Sequence, residues 1–151
     1  MSLQFKEVAI GQSIHHYRVE AELGQGGMGK VFRAWDGHLD RYVAIKVLAV
    51  QAFMDNDRKE RLLREARIAS ALNHPNILHM YDVDQTPEGI DYIVMEYVPG
   101  KTLGSLVNGR GLPLTTCVKY ARQIAGALAM AHDKGIIHRD TDRAGAIPGP
   151  G

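Results

Sequence analysis

A glycine cluster between two strand-like segments limits the fold of this chain more than any other feature. Four of the six residues from 24 to 29 are glycines. Tyr17–Leu23, before the cluster, alternates polar and apolar residues, and Lys30–Trp35, after it, is rich in β-branched and aromatic types. Because both patterns are typical of strands, we predict an antiparallel hairpin around the glycines. A dinucleotide-binding fold, which requires a helix directly after such glycines, is disfavoured.

The rest of the sequence predicts an α+β chain. A third strand should cover 42–48, and apolar residues at helical spacing predict a helix at 56–73. Two further strands, a short helix and a long helix should follow, at 77–84, 91–98, 102–107 and 115–134. Asp36-Gly37 should form a turn, Thr115 or Thr116 should cap the start of the long helix, and Gly135 should end it. We therefore expect a five-stranded antiparallel sheet with one main helix, followed by a short helix and one long helix.

Changes in sequence character divide the chain into four predicted segments. Residues 1–16 carry no strong period and should form a leader, whereas 17–98 should form the lobe that contains the sheet. Residues 99–140 should begin a second, helical lobe. The last residues, 141–151, contain three glycines and two prolines without any period, which predicts a flexible tail.

The spacing of the glycines suits phosphate binding. Gly24, Gly26 and Gly29 fit the pattern G-x-G-x-x-G, and Val31 follows two residues later. Backbone N–H groups bind phosphate oxygens only when the backbone comes very close, which the missing Cβ of glycine allows. The match alone is weak, because many glycine-rich segments are simply turns.

Lys46 ends the sequence Val43-Ala44-Ile45-Lys46 on the third predicted strand. Since side chains alternate along a strand, Ala44 and Lys46 should face one way and Val43 and Ile45 the other. A strand lysine is usually only a solvated residue, but its position after the glycine cluster favours a role beside phosphate. An acidic side chain on the following helix would hold it in place. The candidates are Asp57, Glu60 and Glu65.

Together these segments resemble the protein kinases, in particular the bacterial serine/threonine kinases of the eukaryotic-like type. The resemblance covers about residues 17–140, with the motifs in the family's order and at plausible spacing. The motifs are Leu23–Val31, Val43–Lys46, Arg64–Ala66, His74–Ile77, Val94–Tyr97 and Gly135–Asp140. The resemblance implies a kinase N-lobe followed by the start of a C-lobe, with ATP as cofactor and, in the family, Mg²⁺.

The resemblance also implies roles for single residues. Lys46 would bind the α- and β-phosphates and Glu65 would pair with Lys46, because the family's helix carries a glutamate in a similar context. Asp140 of the H-R-D motif would orient the substrate hydroxyl and accept its proton. Met95 would lie at the back of the adenine pocket. The other nucleotide contacts would come from Leu23, Gly24, Gly26, Gly29, Val31 and Ala44, and from the backbone of Glu96 and Val98.

The pattern breaks after Asp140. The family continues H-R-D-L-K-P-x-N, whereas this chain has Asp142 at the lysine position and Gly145 at the asparagine position, and neither D-F-G nor A-P-E follows. The family's magnesium ligands are therefore missing from this sequence, and we expect the chain alone to be inactive. Three interpretations stay open: a kinase whose remainder is supplied elsewhere, a pseudokinase-like module that binds nucleotide or a partner, and a truncated or frameshifted remnant.

Composition disfavours several kinds of partner. Eighteen Lys and Arg against 17 Asp and Glu give a net charge of +1, so nucleic acid is not an expected partner. No apolar run approaches the length of a membrane span, which predicts a cytoplasmic protein. The apolar stripe of the helix at 115–134 would lack its usual cover, so we expect association through that face. The sequence does not specify the protein substrate or a preference for serine over threonine.

Overall fold

The computed structural model describes most of the chain as two compact units. One unit lies within Met1–Ser70 and His79–Tyr97, and the other lies within Ala71–Leu78 and Val98–Gly151. Among the described residues, the first unit contains a sheet and one helix, and the second contains two helices. The described residues are 8–26, 29–48, 56–107 and 109–136.

The described residues of the first unit form a six-stranded, fully antiparallel sheet. Its strands are β1 (Ser13–Ile14), β2 (Tyr17–Gly26), β3 (Gly29–Asp36), β4 (Arg41–Leu48), β5 (Met80–Gln85) and β6 (Asp91–Glu96). They follow the order β1-β2-β3-β4-β6-β5 across the sheet. The five predicted strands are confirmed, and the structure adds the two-residue β1, which the sequence pattern did not predict. A tight turn with His15 at a φ of 51° connects β1 to β2.

The hydrophobic core lies on one face of this sheet. Alternate residues of β4, Val43, Ile45 and Val47, are buried there with Phe32 and Ala34 of β3. The other buried members of the cluster are Ile14, Tyr17, Val19, Tyr92 and Val94. Burying a large apolar side chain contributes about 1.5–3 kcal/mol. Because a slip of one residue would turn these side chains outward, the core fixes the register of the strands.

A buried aspartate stabilises the hairpin between β3 and β4. Asp36 is 2% exposed, and its Oδ1 accepts hydrogen bonds from the backbone N–H groups of His38 (3.0 Å) and Leu39 (3.2 Å). The turn that the sequence predicted at this point is confirmed. Since a turn sets the register of its hairpin, this one helps to place Val31 of β3 directly opposite Lys46 of β4.

The helix α1 (Asn56–Ser70) packs against β5 in the first unit. Ala66 is buried, as expected for the apolar face of this helix. The helix ends three residues before its predicted end at 73. At that end the hydroxyl of Ser70 donates a hydrogen bond of 2.7 Å to the carbonyl of Arg67, which competes with continued helical bonding.

The second unit contains a short helix, α2 (Leu103–Leu106), and a long helix, α3 (Leu114–Asp133). Both confirm predicted elements. Thr102 caps α2, because its Oγ1 accepts a hydrogen bond of 3.2 Å from the backbone N–H of Ser105.

The two ends of α3 differ in how well the sequence predicted them. The helix begins one residue earlier than expected, with Pro113 as N-cap and no side-chain capping bond, so the cap predicted at Thr115 or Thr116 is wrong. The C-terminal end follows the prediction, with Gly135 in the left-handed region at a φ of 77°. The N–H groups of Gly135 and the next residue donate to carbonyls of the last turn at 2.8 and 2.9 Å, a Schellman motif.

Much of the apolar surface of α3 is exposed in the described part of the second unit. Leu114 is 77% exposed, Val118 is 49% exposed and Ile124 is 36% exposed, whereas Ala131 is buried. None of the helices in the described ranges is long and apolar enough to cross a membrane.

Candidate nucleotide-binding site

The glycine cluster forms the tip of the β2–β3 hairpin. β2 ends at Gly26 and β3 begins at Gly29, and these two glycines are paired across the hairpin. Gly24 pairs with Val31 in the same register. The hairpin predicted around the glycines is therefore confirmed by the described strands, and residues 27 and 28 lie outside the described residues.

Two of the glycines have different physical roles. A Cβ on Gly24 would meet nothing within 4 Å, so this position leaves open space for an approaching group. Gly29 has a φ of 150°, and a Cβ there would collide with the carbonyl oxygen of Val47 and lie 3.0 Å from its carbonyl carbon. Gly29 thus allows β3 to approach the backbone of β4, a constraint within the protein that the motif alone did not reveal.

Lys46 lies on the face of β4 opposite the hydrophobic core. Val43 and Ile45 belong to the core, and residues alternate along a strand, so Ala44 and Lys46 lie on the other face. This confirms the predicted alternation. Lys46 is half-buried and pairs with Val31 of β3. The ammonium-bearing side chain therefore starts from the strand directly beside the glycine hairpin.

The same face brings several predicted adenine-pocket residues together. Ala44, 5% exposed, pairs with half-buried Met95 of β6, and residues directly opposite each other in a sheet share a face. Half-buried Val31 and Lys46 lie on that face because they are paired across β3 and β4. Leu23 is 46% exposed and lies on β2 at an irregularity of the β2–β3 register, next to the pair formed by Gly24 and Val31.

Glu96 ends β6 and is fixed by two hydrogen bonds to one residue. Its backbone N–H donates to the carbonyl of His79 at 2.8 Å, and its Oε2 accepts from the backbone N–H of His79 at 3.1 Å. The sequence had predicted a role only for the backbone of Glu96. Its side-chain contact joins residues 17 positions apart and carries no local sequence signal.

Comparison with known proteins agrees with this geometry. A family profile described as "Protein kinase domain" matches residues 17–143, most of the chain. The chain belongs to the protein kinase domain family. The kinase fold predicted from the sequence motifs is confirmed by the sheet and by a solved structure, the kinase domain of Mycobacterium tuberculosis PknI. That structure superposes with a TM-score of 0.77 at 31% identity, over 89% of this chain and 55% of its own.

Bacterial kinases are also among the curated relatives of this kinase-family chain. Serine/threonine-protein kinase pkn3 of Myxococcus xanthus is 44% identical over 134 residues, which cover 87% of this chain and 24% of the relative. Serine/threonine-protein kinase PrkC of Bacillus subtilis is 43% identical over 133 residues, covering 87% of this chain and 20% of the relative. The chain thus spans a quarter or less of the length of these two kinases.

The described structure of this kinase-family chain does not bring three of the predicted site residues next to Lys46 and the glycine hairpin. Glu65 lies on α1, but its side chain is outside the described part, so its pairing with Lys46 stays a prediction. Asp140 also lies outside the described residues. Val98, half-buried, is the first residue of the second unit after Tyr97.

Two tyrosines of the first unit have a raised pKa. Burial raises the pKa of Tyr92, and the Asp84 carboxylate raises it further because a negative neighbour opposes ionisation. Burial also raises the pKa of Tyr17, with the Asp36 carboxylate as the next cause. Both phenols therefore stay protonated in the folded sheet to a higher pH than a solvated tyrosine.

Proposed function

We propose that this chain forms the ATP-binding part of a bacterial serine/threonine protein kinase. The proposal rests on the strand register, in which Val31 of β3 pairs with Gly24 of β2 on one side and with Lys46 of β4 on the other. This register puts an open glycine backbone, an apolar surface and a lysine on neighbouring strands. Those are the three kinds of group that a nucleoside triphosphate requires.

Each part of this face suits a different part of ATP. The open space at Gly24 lets backbone N–H groups approach phosphate oxygens closely. Lys46 would hold the α- and β-phosphates through its ammonium group. Val31, Ala44 and Met95 would cover the adenine ring with apolar surface, as most ligand pockets do. ATP, when bound, supplies the γ-phosphoryl group for transfer to a protein hydroxyl.

Phosphoryl transfer also needs catalytic and metal-binding side chains, and in the kinase family these come from the catalytic loop that starts at the position of Asp140 and from segments after it. Asp140 would accept the proton of the substrate hydroxyl. The family's metal-binding asparagine position holds Gly145, which has no side-chain oxygen, and the lysine position holds Asp142. Among the described residues no group of three His, Cys, Asp or Glu side chains could hold a metal ion. The resemblance therefore carries no magnesium ligand over to a residue of this sequence.

A low rate of phosphoryl transfer by this chain alone is part of the proposal. Removing one preorganised electrostatic group from an enzyme costs roughly 10²–10³ in rate. Here the asparagine and the lysine of the catalytic loop are both replaced. Incorporation of phosphate into a protein acceptor, abolished by Lys46→Ala and Asp140→Asn, would contradict this part.

The replacements after Asp140 also favour a second candidate, a module that binds nucleotide or a protein partner without chemistry. Asp142 reverses the charge of the family's lysine, and Gly145 removes a ligand, while every motif before them is kept. The exposed apolar residues of α3, including Leu114 and Val118, support association through that helix. Both candidates predict little phosphoryl transfer by this chain alone. They differ in whether transfer appears when the remainder of a kinase domain is supplied, as only the first candidate expects.

Thermal unfolding of the full chain with and without ATP and magnesium tests nucleotide binding. A ligand that binds only the folded state adds about 2.7 kcal/mol at a hundredfold excess over its Kd. We expect the unfolding temperature to rise with ATP in the wild type and in Lys119→Ala, a charge-matched control on α3, but much less in Lys46→Ala. Equal rises in all three proteins, or none in the wild type, would contradict the proposal.

A further inference from the structure

The structure contains an arrangement of His79 and Glu96 that the kinase motifs do not explain. His79 is the first residue of the segment His79–Tyr97, and Glu96 is next to last in it. Both backbone polar groups of His79 are used by Glu96, one through the backbone and one through the side chain. Both residues are half-buried.

The side-chain bond replaces a strand bond that the backbone does not make. β5 starts at Met80 and β6 ends at Glu96, so His79 lies just beyond the paired part of the two strands. The β5–β6 register is also irregular between Met80 and Asp82. The Glu96 carboxylate supplies the acceptor for the half-buried N–H of His79, which would otherwise be left without a protein partner. A bond to a charged acceptor is stronger than a neutral one.

The two bonds restrain Glu96 at two points, its backbone N–H and the end of its side chain. Its N–H is held by the His79 carbonyl, and its side chain is held by the His79 N–H. The carbonyl of Glu96 is the group that would face the adenine edge in the proposed function, on which this inference rests. A carbonyl accepts from the exocyclic amine of adenine, whereas guanine presents an oxygen at the corresponding position.

We infer that the Glu96 side chain is a positioning residue for recognition of the adenine base. By holding its own backbone against His79, the carboxylate keeps the Glu96 carbonyl aimed at the adenine amine. The carboxylate contacts the backbone N–H of His79, so it would act on the nucleotide through the Glu96 backbone. Its loss should therefore weaken discrimination between bases more than it weakens binding of the phosphates.

The test compares Glu96→Ala with Glu96→Gln in the full chain. The glutamine keeps an oxygen that accepts from the His79 N–H, so it is the matched control. We expect Glu96→Ala to bind ATP about tenfold more weakly, which is about 1.4 kcal/mol, with GTP binding changed less than twofold. Glu96→Gln should keep the ratio of ATP to GTP affinity within about twofold of the wild type.

The outcomes separate this inference from the proposed function. If the wild type binds ATP and Glu96→Ala keeps the wild-type ratio of ATP to GTP affinity, the inference is wrong and the proposed function stands. If the wild type binds neither nucleotide, both are wrong. Should Glu96→Ala fail to unfold cooperatively, Glu96→Met, which has a similar length and no acceptor, takes its place in the same comparison.

Discussion

Replacing Gly29 by alanine tests whether the last glycine of the hairpin serves the sheet rather than the ligand. The new Cβ would collide with the Val47 carbonyl oxygen, a backbone atom that cannot rotate away. The φ of 150° adds a second penalty, because this region is rarely populated by residues other than glycine. Gly24→Ala is the matched variant, because its Cβ would enter open space.

The size of the effect follows from these two penalties. A strained backbone conformation costs about 1–3 kcal/mol, and overpacking a close contact costs about 1–3 kcal/mol. Gly29→Ala should therefore lose about 2–6 kcal/mol of unfolding free energy, less if β4 moves away from β3. Gly24→Ala should change the unfolding free energy by at most about 1 kcal/mol, and in the stabilising direction where its backbone is compatible with alanine.

Urea unfolding followed by tryptophan fluorescence measures this difference directly. Trp35, the single tryptophan of the chain, lies on β3 with its ring 5.0 Å from that of Tyr42, so its emission reports on the sheet. With an m value of about 2 kcal/mol per M, the midpoint of Gly29→Ala should fall by about 1–3 M. Nucleotide binding should be lost in Gly24→Ala although its midpoint is kept. Equal midpoints for the two variants would refute the assignment of Gly29 to strand packing.

Two further predictions concern the core and the long helix. The raised pKa of Tyr92 means that the unfolded state ionises first, so wild-type stability should fall as pH rises above about 10, the ordinary tyrosine value. Tyr92→Phe should show a shallower fall than the control Tyr120→Phe in urea unfolding at pH 9–11, and equal slopes would contradict it. Gly135→Ala should lose about 1–2 kcal/mol because of its φ of 77°. Gly126→Ala, inside α3 with only an ordinary contact of 3.8 Å, should gain up to about 1 kcal/mol, and the opposite order by circular dichroism would disprove the cap assignment.

The faces of the strands could be predicted from the sequence because alternation is a local property. Val43, Ile45 and Lys46 lie within four consecutive residues, and a period of two assigns each side chain to a face of the sheet without any knowledge of the neighbouring strands. The strand faces therefore followed from residue type and spacing, whereas the position of Lys46 near the glycine hairpin followed from the resemblance to the kinase motifs and their order.

The contacts between strands could not be predicted, because they depend on distances that no local pattern encodes. The close approach of Val47 to Gly29 follows from the β3–β4 pairing. The bond between His79 and Glu96 follows from where β5 and β6 stop pairing. Likewise β1 has only two residues, too few for a period to be visible.

Helix ends were predicted less well than helix positions. Either threonine would be a good N-cap, but α3 begins one residue before Thr115, so both hydroxyls fall inside the first turn instead of ahead of it. At the other end, Gly135 was predicted correctly because a left-handed residue strongly favours glycine. Single-residue shifts are enough to reverse a capping prediction.

The order of strands in the sheet has a consequence for the chain during its synthesis. β6 is the last strand of the described sheet to be made, yet it lies between β4 and β5. The residues between Leu48 and Asp91 take about 2–9 s to synthesise at about 5–20 residues per second. Throughout that interval the N–H and C=O groups along one edge of β4 have no neighbouring strand, and such an open edge readily pairs with another chain. The nascent chain is therefore most exposed to wrong strand pairing on the ribosome, before Glu96 at the end of β6 emerges.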